Sequence, residues 1–391
     1  MPTPLSNFWQ SLPKPFLVMA PMADVTDEAF RQIIAKYSRH GELGGGPDVF
    51  FTEFVSADGL CSSGRNILLR DLAYSELEHP MVAQIFSSHP DHIFQAAELV
   101  RSLGFDGLDL NMGCPDKGIE KQGSGAAHIK DPQLAQEIIR VAQQGFAGPV
   151  SIKTRIGYNQ ETLDTWLPKL LETQPAAITI HARTRKEMSL VPARWEFIKK
   201  AVDMAQGSGT LIIGNGDVRD LDEAREKVQT TGADGIMLGR AIFGTPWLFD
   251  ETRVISPSLY QRLEIMIEHT YLFEKLLSDI KDFSIMKKHF KAYVNGFDGA
   301  KGSSVNNLQD SPSASRNLSP FPQSKTAHRT YSTARNFFNQ KDEILQKSEG
   351  ESTGNYLRKS PKELRIELMA TQKATEVETI VRKFLKMGQG N

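Results

Sequence analysis

The chain has 391 residues, 46 Lys and Arg against 47 Asp and Glu for a net charge of −1, with 40% hydrophobic and 24% charged residues. Such a composition excludes a collagenous or wholly disordered chain and leaves room for one large domain with a smaller one beside it. Two cysteines exclude a disulfide framework, and with no leader or long uncharged apolar span near Met1 the expectation is a reducing, cytoplasmic home and no membrane partner.

In chain order, short β-rich apolar runs stand at 16–22, 49–55, 81–86, 107–110, 150–155, 177–183, 211–215 and 235–239. Between them the apolar period predicts helices over 27–37, 89–103, 132–143, 161–172, 195–204 and 221–228. This alternation predicts an α/β fold, a (β/α)8 TIM barrel over residues 1–250, with a doubly wound open sheet as the alternative. After Asp250 the strands cease, and 258–280, 283–294 and 363–386 read as amphipathic helices of a small C-terminal helical domain, residues 251–391.

The stretch 302–362 interrupts that domain. It is rich in Ser, Asn, Gln, Pro and Lys and holds too little apolar surface to offset the entropy of ordering it. It is expected to be a mostly disordered insert, with one helix around 333–345. Residues 1–250 carry 24 Lys and Arg against 31 Asp and Glu, and residues 251–391 carry 22 against 16. That asymmetry permits a polyanionic partner at the C-terminal end.

Polar residues close or follow the apolar runs: Pro21-Met22, Glu53, Gln84, Asn111, Lys153 with Arg155, His181 with Arg183, Asn215 with Asp217, and Arg240. In a (β/α)8 barrel these ends converge on one mouth, where active sites of such enzymes lie. Each has a structural alternative: Lys153 pairing with a carboxylate, His181 as a satisfied core histidine, Gln84 tying two strands together. Regular structure is expected to stop at Asn111, where a loop with Gly113, Gly118 and Gly123 carries Cys114. A thiol there, beside Lys117 and Lys121, is placed to give or take a proton; the alternative is a small buried residue. Gly214-Asn-Gly-Asp217 and Gly239-Arg240 are glycine turns directly after strands, where such barrels often hold a phosphate. Nine histidines look scattered and no Cys-x-x-Cys is present, so no metal site is expected.

Taken together, the motifs resemble the tRNA-dihydrouridine synthase family: APMADVTDEAFR (20–31), the Gln84 strand, NMGCPDKGIEKQGSGA (111–126), KTRIG (153–157), ITIHARTR (178–185), IIGNGDV (212–218) and GIMLGRAIFGTPWLF (235–249). MKKHFKAYVNGFDGAK (286–301) is also similar, and ELRIELMATQ (363–372) looks like its continuation, displaced by the insert.

The resemblance implies a monomeric flavoenzyme that holds FMN, takes electrons from NADPH and reduces the C5–C6 double bond of uridine in tRNA. It implies Cys114 as the general acid, with Asn111 aligning the uracil or flavin edge. Lys153 and His181 would lie near the flavin N1–C2=O edge, Gln84 on its pyrimidine side, and Pro21 and Met22 against the ring. Asn215, Asp217, Gly239 and Arg240 would hold the phosphate, and Arg155 and Arg183 would contact cofactor or RNA. A flavin barrel acting on a free small molecule, or a catalytically inactive RNA-binding relative, are the alternatives. Cys61 lies in no comparable motif and reads as structural.

Overall fold

Each of the eight apolar runs becomes a parallel strand in the computed structural model, which describes residues 5–295 and 360–388. They are β1 (Phe16–Met19), β2 (Phe50–Ser56), β3 (Met81–Phe86), β4 (Gly107–Met112), β5 (Val150–Arg155), β6 (Ala177–His181), β7 (Leu211–Asn215) and β8 (Gly235–Leu238). Neighbours pair in sequence order from β2 to β8, and β8 pairs with β1. The remaining seam closes through a parallel bridge from Val18 to Val49, with the Asp48 N–H donating to the Leu17 carbonyl at 2.8 Å. The sheet is therefore a closed (β/α)8 barrel, and the doubly wound alternative falls.

Alternation along the strands separates two environments. On β4, Leu108, Leu110 and Met112 join the large outer core, while Asp109 and Asn111 bond to groups inside the barrel. The floor is apolar: Trp9, Phe16, Val18, Phe51, Val82, Ile213 and Met237 form a separate cluster. Trp9, fully buried, plugs it from a single helical turn, Phe8–Ser11. Truncating such a side chain to alanine costs about 3–5 kcal/mol.

Around the barrel run α1 (Glu28–Tyr37), α2 (Ala57–Leu60), α3 (Arg65–Asp71), α4 (Pro90–Ser102), α5 (Lys117–Lys121), α6 (Pro132–Phe146), α7 (Leu163–Leu171), α8 (Glu196–Ala205) and α9 (Leu221–Thr231). Helix starts follow their caps: Asp27 accepts from the Phe30 N–H, Asp131 from Leu134 and Asp220 from Glu223. The short helices α2, α3 and α5 left no readable apolar period in the sequence, because four to seven residues give at most two turns. In α1, Arg31 is fully buried and bonds Glu78 at 2.6 Å and the carbonyls of Thr26 and Ala73. Removing one partner of such a buried pair costs about 3–5 kcal/mol.

Four helices follow the barrel: α10 (Leu259–Leu277), α11 (Met286–Val294), α12 (Pro361–Ala370) and α13 (Ala374–Gly388). Two expectations need correction. The helix read over 363–386 is two helices, broken where Thr371 turns extended at φ −70°, ψ 152°. The insert does not reach residue 362, because Ser360 and Glu363 form a reciprocal capping box that starts α12 at Pro361. The disorder and the helix expected at 333–345 lie outside the described residues. Leu263, Phe273, Phe290, Leu364 and Val377 share one apolar core with Phe30 and Ile33 of α1, so these helices pack on the barrel. Among the described residues no helix is long and apolar enough to cross a membrane.

Candidate active site

Strand register stacks the inward residues in layers. Gln84, Asp109 and Ser151 pair across β3, β4 and β5, and one step higher Asn111 pairs with Lys153 and Lys153 with Thr179. At the rim Arg155 pairs with His181 and His181 with Asn215. A continuous strand ladder thus brings together residues more than 100 positions apart. β4 runs on to Met112, so Asn111 belongs to the strand and not to the loop. That corrects the expectation that regular structure stops at Asn111; the β5 ladder carries it on to Met112.

The lower layer is a satisfied polar network. Asp109, fully buried, accepts from Ser151 Oγ at 2.6 Å and from Gln84 Nε2 at 2.7 Å. Gln84 in turn accepts from Asn111 Nδ2 at 3.2 Å. Burial pushes the Asp109 carboxyl up to about 6, against the two donors. Gln84 is thus occupied at both ends of its amide and ties β3 to β4, its structural alternative.

Asn111 transmits this order upward. Its Oδ1 accepts from the backbone N–H of Gly113 at 3.2 Å and of Cys114 at 3.0 Å, which fixes the start of the cysteine loop. The loop's far side is fixed by the Ala126 N–H donating to the Cys114 carbonyl at 3.0 Å. Burial pushes the Cys114 thiol above its ordinary range, outweighing the pull of Lys153 and Arg155, so it carries its proton at neutral pH.

Lys153, one of the groups acting on that thiol, also lines a cavity of about 670 Å3. Eight residues singled out from the sequence line it: Pro21, Met22, Lys153, His181, Asn215, Asp217, Gly239 and Arg240. Gln84, Asn111, Cys114, Arg155 and Arg183 are outside that lining. Burial, aided by the Arg155 guanidinium, pushes the Lys153 ammonium down to about 8. Burial and then Lys153 and the surrounding arginines hold His181 well below its ordinary value. Its Nε2 stands 3.0 Å from Arg183 Nη1, which donates to it and leaves the hydrogen of the neutral ring on Nδ1.

Arg155 and Arg183, expected at cofactor or RNA, are held by bonds within the protein. Arg155 donates to the carbonyls of Gly113, Thr184 and Met188 at 2.8, 3.1 and 3.1 Å, so it clamps the cysteine loop to the loop after β6. Arg183, 2% exposed, donates to the Val191 carbonyl, to His181 and to the Asp217 carboxylate. Both are braces for neighbouring loops, a role their charge gave no sign of in sequence.

The turn after β7 is built for close approach. Gly216 has φ +135°, and a Cβ there would stand 2.7 Å from that of Ala193; Asp217 follows at φ +59°. Among the described residues, the N–H groups of Gly216, Asp217 and Val218 donate to none of the others. Asp217 accepts from Arg183, Arg240 and the Ala193 N–H, which holds it below the ordinary carboxylate range despite partial burial. Ser189 and Arg219 line the cavity unexpectedly, and Gly216 lines it within the glycine turn expected to hold a phosphate. Only Gly216 carried a signal, as the middle glycine of its turn.

A model of the family described as "Dihydrouridine synthase (Dus)" matches residues 18–325. A probable tRNA-dihydrouridine synthase of Staphylococcus aureus (strain Mu50) is 39% identical over 299 residues, covering 75% of this chain and 88% of that protein. Probable tRNA-dihydrouridine synthase 2 of Bacillus subtilis (strain 168) is 38% identical over 300 residues, covering 75% and 89%. The solved structure of a 2-naphthoyl-CoA reductase complex aligns with a TM-score of 0.46 at 12% identity, over 60% of this chain and 49% of that one. With most of the chain matched to one family and relatives of this similarity, the chain belongs to the dihydrouridine synthase family.

Proposed function

We propose that the protein is a tRNA-dihydrouridine synthase that binds FMN in the cavity, takes its electrons from NADPH and reduces uridine in tRNA. The observation that carries this reading is the cavity itself, where cationic and hydrogen-bonding side chains at the ends of β5, β6, β7 and β8 face the apolar Pro21 and Met22 after β1, and Lys153 among them also acts on the protonated Cys114 thiol. The residues fit the cofactor: unengaged N–H groups at Gly216–Val218 and the Arg240 guanidinium suit a phosphate, and Gly216 leaves backbone close to the ligand. Lys153 and the Nδ1–H of His181 suit the anionic edge of a reduced flavin, with Pro21 and Met22 as apolar wall. When bound, FMN supplies the hydride that arrives at C6 of the uracil ring.

The protein's own part is the proton. Cys114, held by Asn111 through its N–H, donates from its thiol to C5. Raised above its ordinary value by burial, the thiol keeps that proton until it is needed. Lys153 and Arg155 then stabilise the thiolate that remains. Lys287, Lys288 and Lys291 of α11 offer charge to RNA phosphates, so binding should weaken steeply with added salt.

The test is direct. Purified protein should be yellow, with one FMN per chain, and the NADPH-reduced form should be reoxidised by unmodified tRNA transcript with dihydrouridine appearing in the RNA. A colourless protein that takes up no flavin, or reduced protein indifferent to tRNA, overturns the reading.

A further inference from the structure

The sequence reading found no metal site, but tertiary structure brings two of the nine scattered histidines to one carboxylate. His89 and His92 stand three residues apart at the start of α4, and Asp58 faces them from α2. One ring nitrogen of each histidine and a carboxylate oxygen of Asp58 all lie within 4.8 Å of one another. His92 Nδ1 is 2.7 Å and His89 Nδ1 3.1 Å from the same Asp58 Oδ1, and Ser87 Oγ donates to that oxygen at 2.5 Å.

We propose that Asp58, His89 and His92 form a binding site for a first-row divalent cation of the zinc class, held through two imidazole nitrogens and one carboxylate oxygen. Imidazole and carboxylate in this ratio select such ions over magnesium or calcium, which prefer all-oxygen shells. Donors about 2.0–2.2 Å from a tetrahedral zinc lie roughly 3.3–3.6 Å from one another, so the two rings have to draw back by about half an ångström from Asp58 Oδ1 to admit the ion. Coordination through Nδ1 puts each ring's hydrogen on Nε2, and both side chains are part-exposed (60% for His89, 39% for His92). Ser87 stays as the group that orients the carboxylate, the usual second contact of a metal ligand. Water fills the remaining positions.

Position gives the ion a consequence. The Ser87 carbonyl faces His128 Nε2 at 3.1 Å, and Ser88 Oγ donates to the Gln122 carbonyl of the cysteine loop. An ion joining α2 to α4 braces the segment on which that loop rests. His89 is the N-cap residue of α4 but makes no side-chain cap bond, so its removal costs the helix no cap.

The experiment is zinc binding to the full chain, by calorimetry and by metal analysis after equilibrium dialysis, with the His89→Ala/His92→Ala double variant as reference. Wild type should bind one zinc per chain more than the double variant, a difference that cancels any ion held by Cys61 or Cys114. Zinc should raise the melting temperature of wild type and not of the double variant. Ser87→Ala should weaken the site by about 10-fold. Asp58→Asn, a near-isosteric change, serves where the double variant is poorly folded, and should also lose the ion. Equal stoichiometry in wild type and variants, or no binding by wild type, overturns the proposal. None of these readouts depends on flavin or tRNA.

Discussion

Two buried polar assemblies in this molecule are built on opposite terms. In the barrel, Asp109, Gln84, Ser151 and Asn111 spend their polar atoms on one another, and the chain of bonds ends at the N–H of Cys114. Between α1, α10 and α11, His269 stacks on Phe30 and His289 meets the same ring edge-on, both histidines fully buried. There both ring nitrogens of His289 and Nε2 of His269 have no partner among the described residues. The first assembly is satisfied and positions a reactive group. The second carries the cost of orphaned nitrogens, which the ring packing around it must offset. A buried polar group is therefore a sign of function here only where its bonds lead somewhere.

The largest expected effect breaks the functional end of the first assembly. Cys114→Ala should lower tRNA-dependent oxidation of the reduced enzyme by roughly 10²- to 10⁴-fold, the range for a lost general acid. Melting temperature, flavin content and reduction by NADPH should hold, and Cys61→Ala should be nearly silent. A structural thiol would give the reverse, lower stability with turnover unchanged.

Next comes the middle of the network. Gln84→Leu leaves the Asp109 carboxylate and the Asn111 amide each short of a partner, at about 1–3 kcal/mol per orphaned group. Denaturant unfolding should show that loss together with slower turnover. If Gln84 instead serves the cofactor by direct contact, flavin affinity falls while stability stays.

His289→Leu tests the second assembly, and the sign is opposite. Burial pushes His289 down to about 3, so the neutral ring's contribution is whole above pH 6.5 and is lost as the pH falls toward 3. At pH 7.5 the variant should equal or exceed wild type by about 1 kcal/mol, having no orphaned nitrogens to bury. At pH 5 the advantage should grow by about 2 kcal/mol, since wild type must then fold against a protonated unfolded ring. The comparison is made as a difference because Asp27, raised to about 7 mainly by burial, titrates in the same window with the opposite sense. A constant difference across pH would show that the ring is not neutral in the fold.

The smallest effect concerns the edge of the insert. Removing residues 302–362 also removes the Ser360 cap, whereas removing 302–359 keeps the capping box with Glu363. The longer deletion should be less stable by about 1 kcal/mol, the usual worth of an N-cap. Equal melting temperatures would mean that the box contributes nothing.

The sequence by itself determined the eight strands, the barrel and the eight cavity-lining positions from Pro21 to Arg240. The reason is local: buried parallel strands must read as short apolar runs, and polar residues at their ends can only gather at the mouth. Only the fold shows the bonds of Gln84, Arg155 and Arg183, whose donors and acceptors meet partners 25 to 42 positions away or on neighbouring loops. A side chain's type states what it can bond, and only the fold states which bonds remain for a ligand. The same holds for Asp58, His89 and His92, which share no motif until α2 packs on α4. It also holds for the break at Thr371, because α12 and α13 carry apolar faces that the sequence joins and packing on α10 and α11 separates.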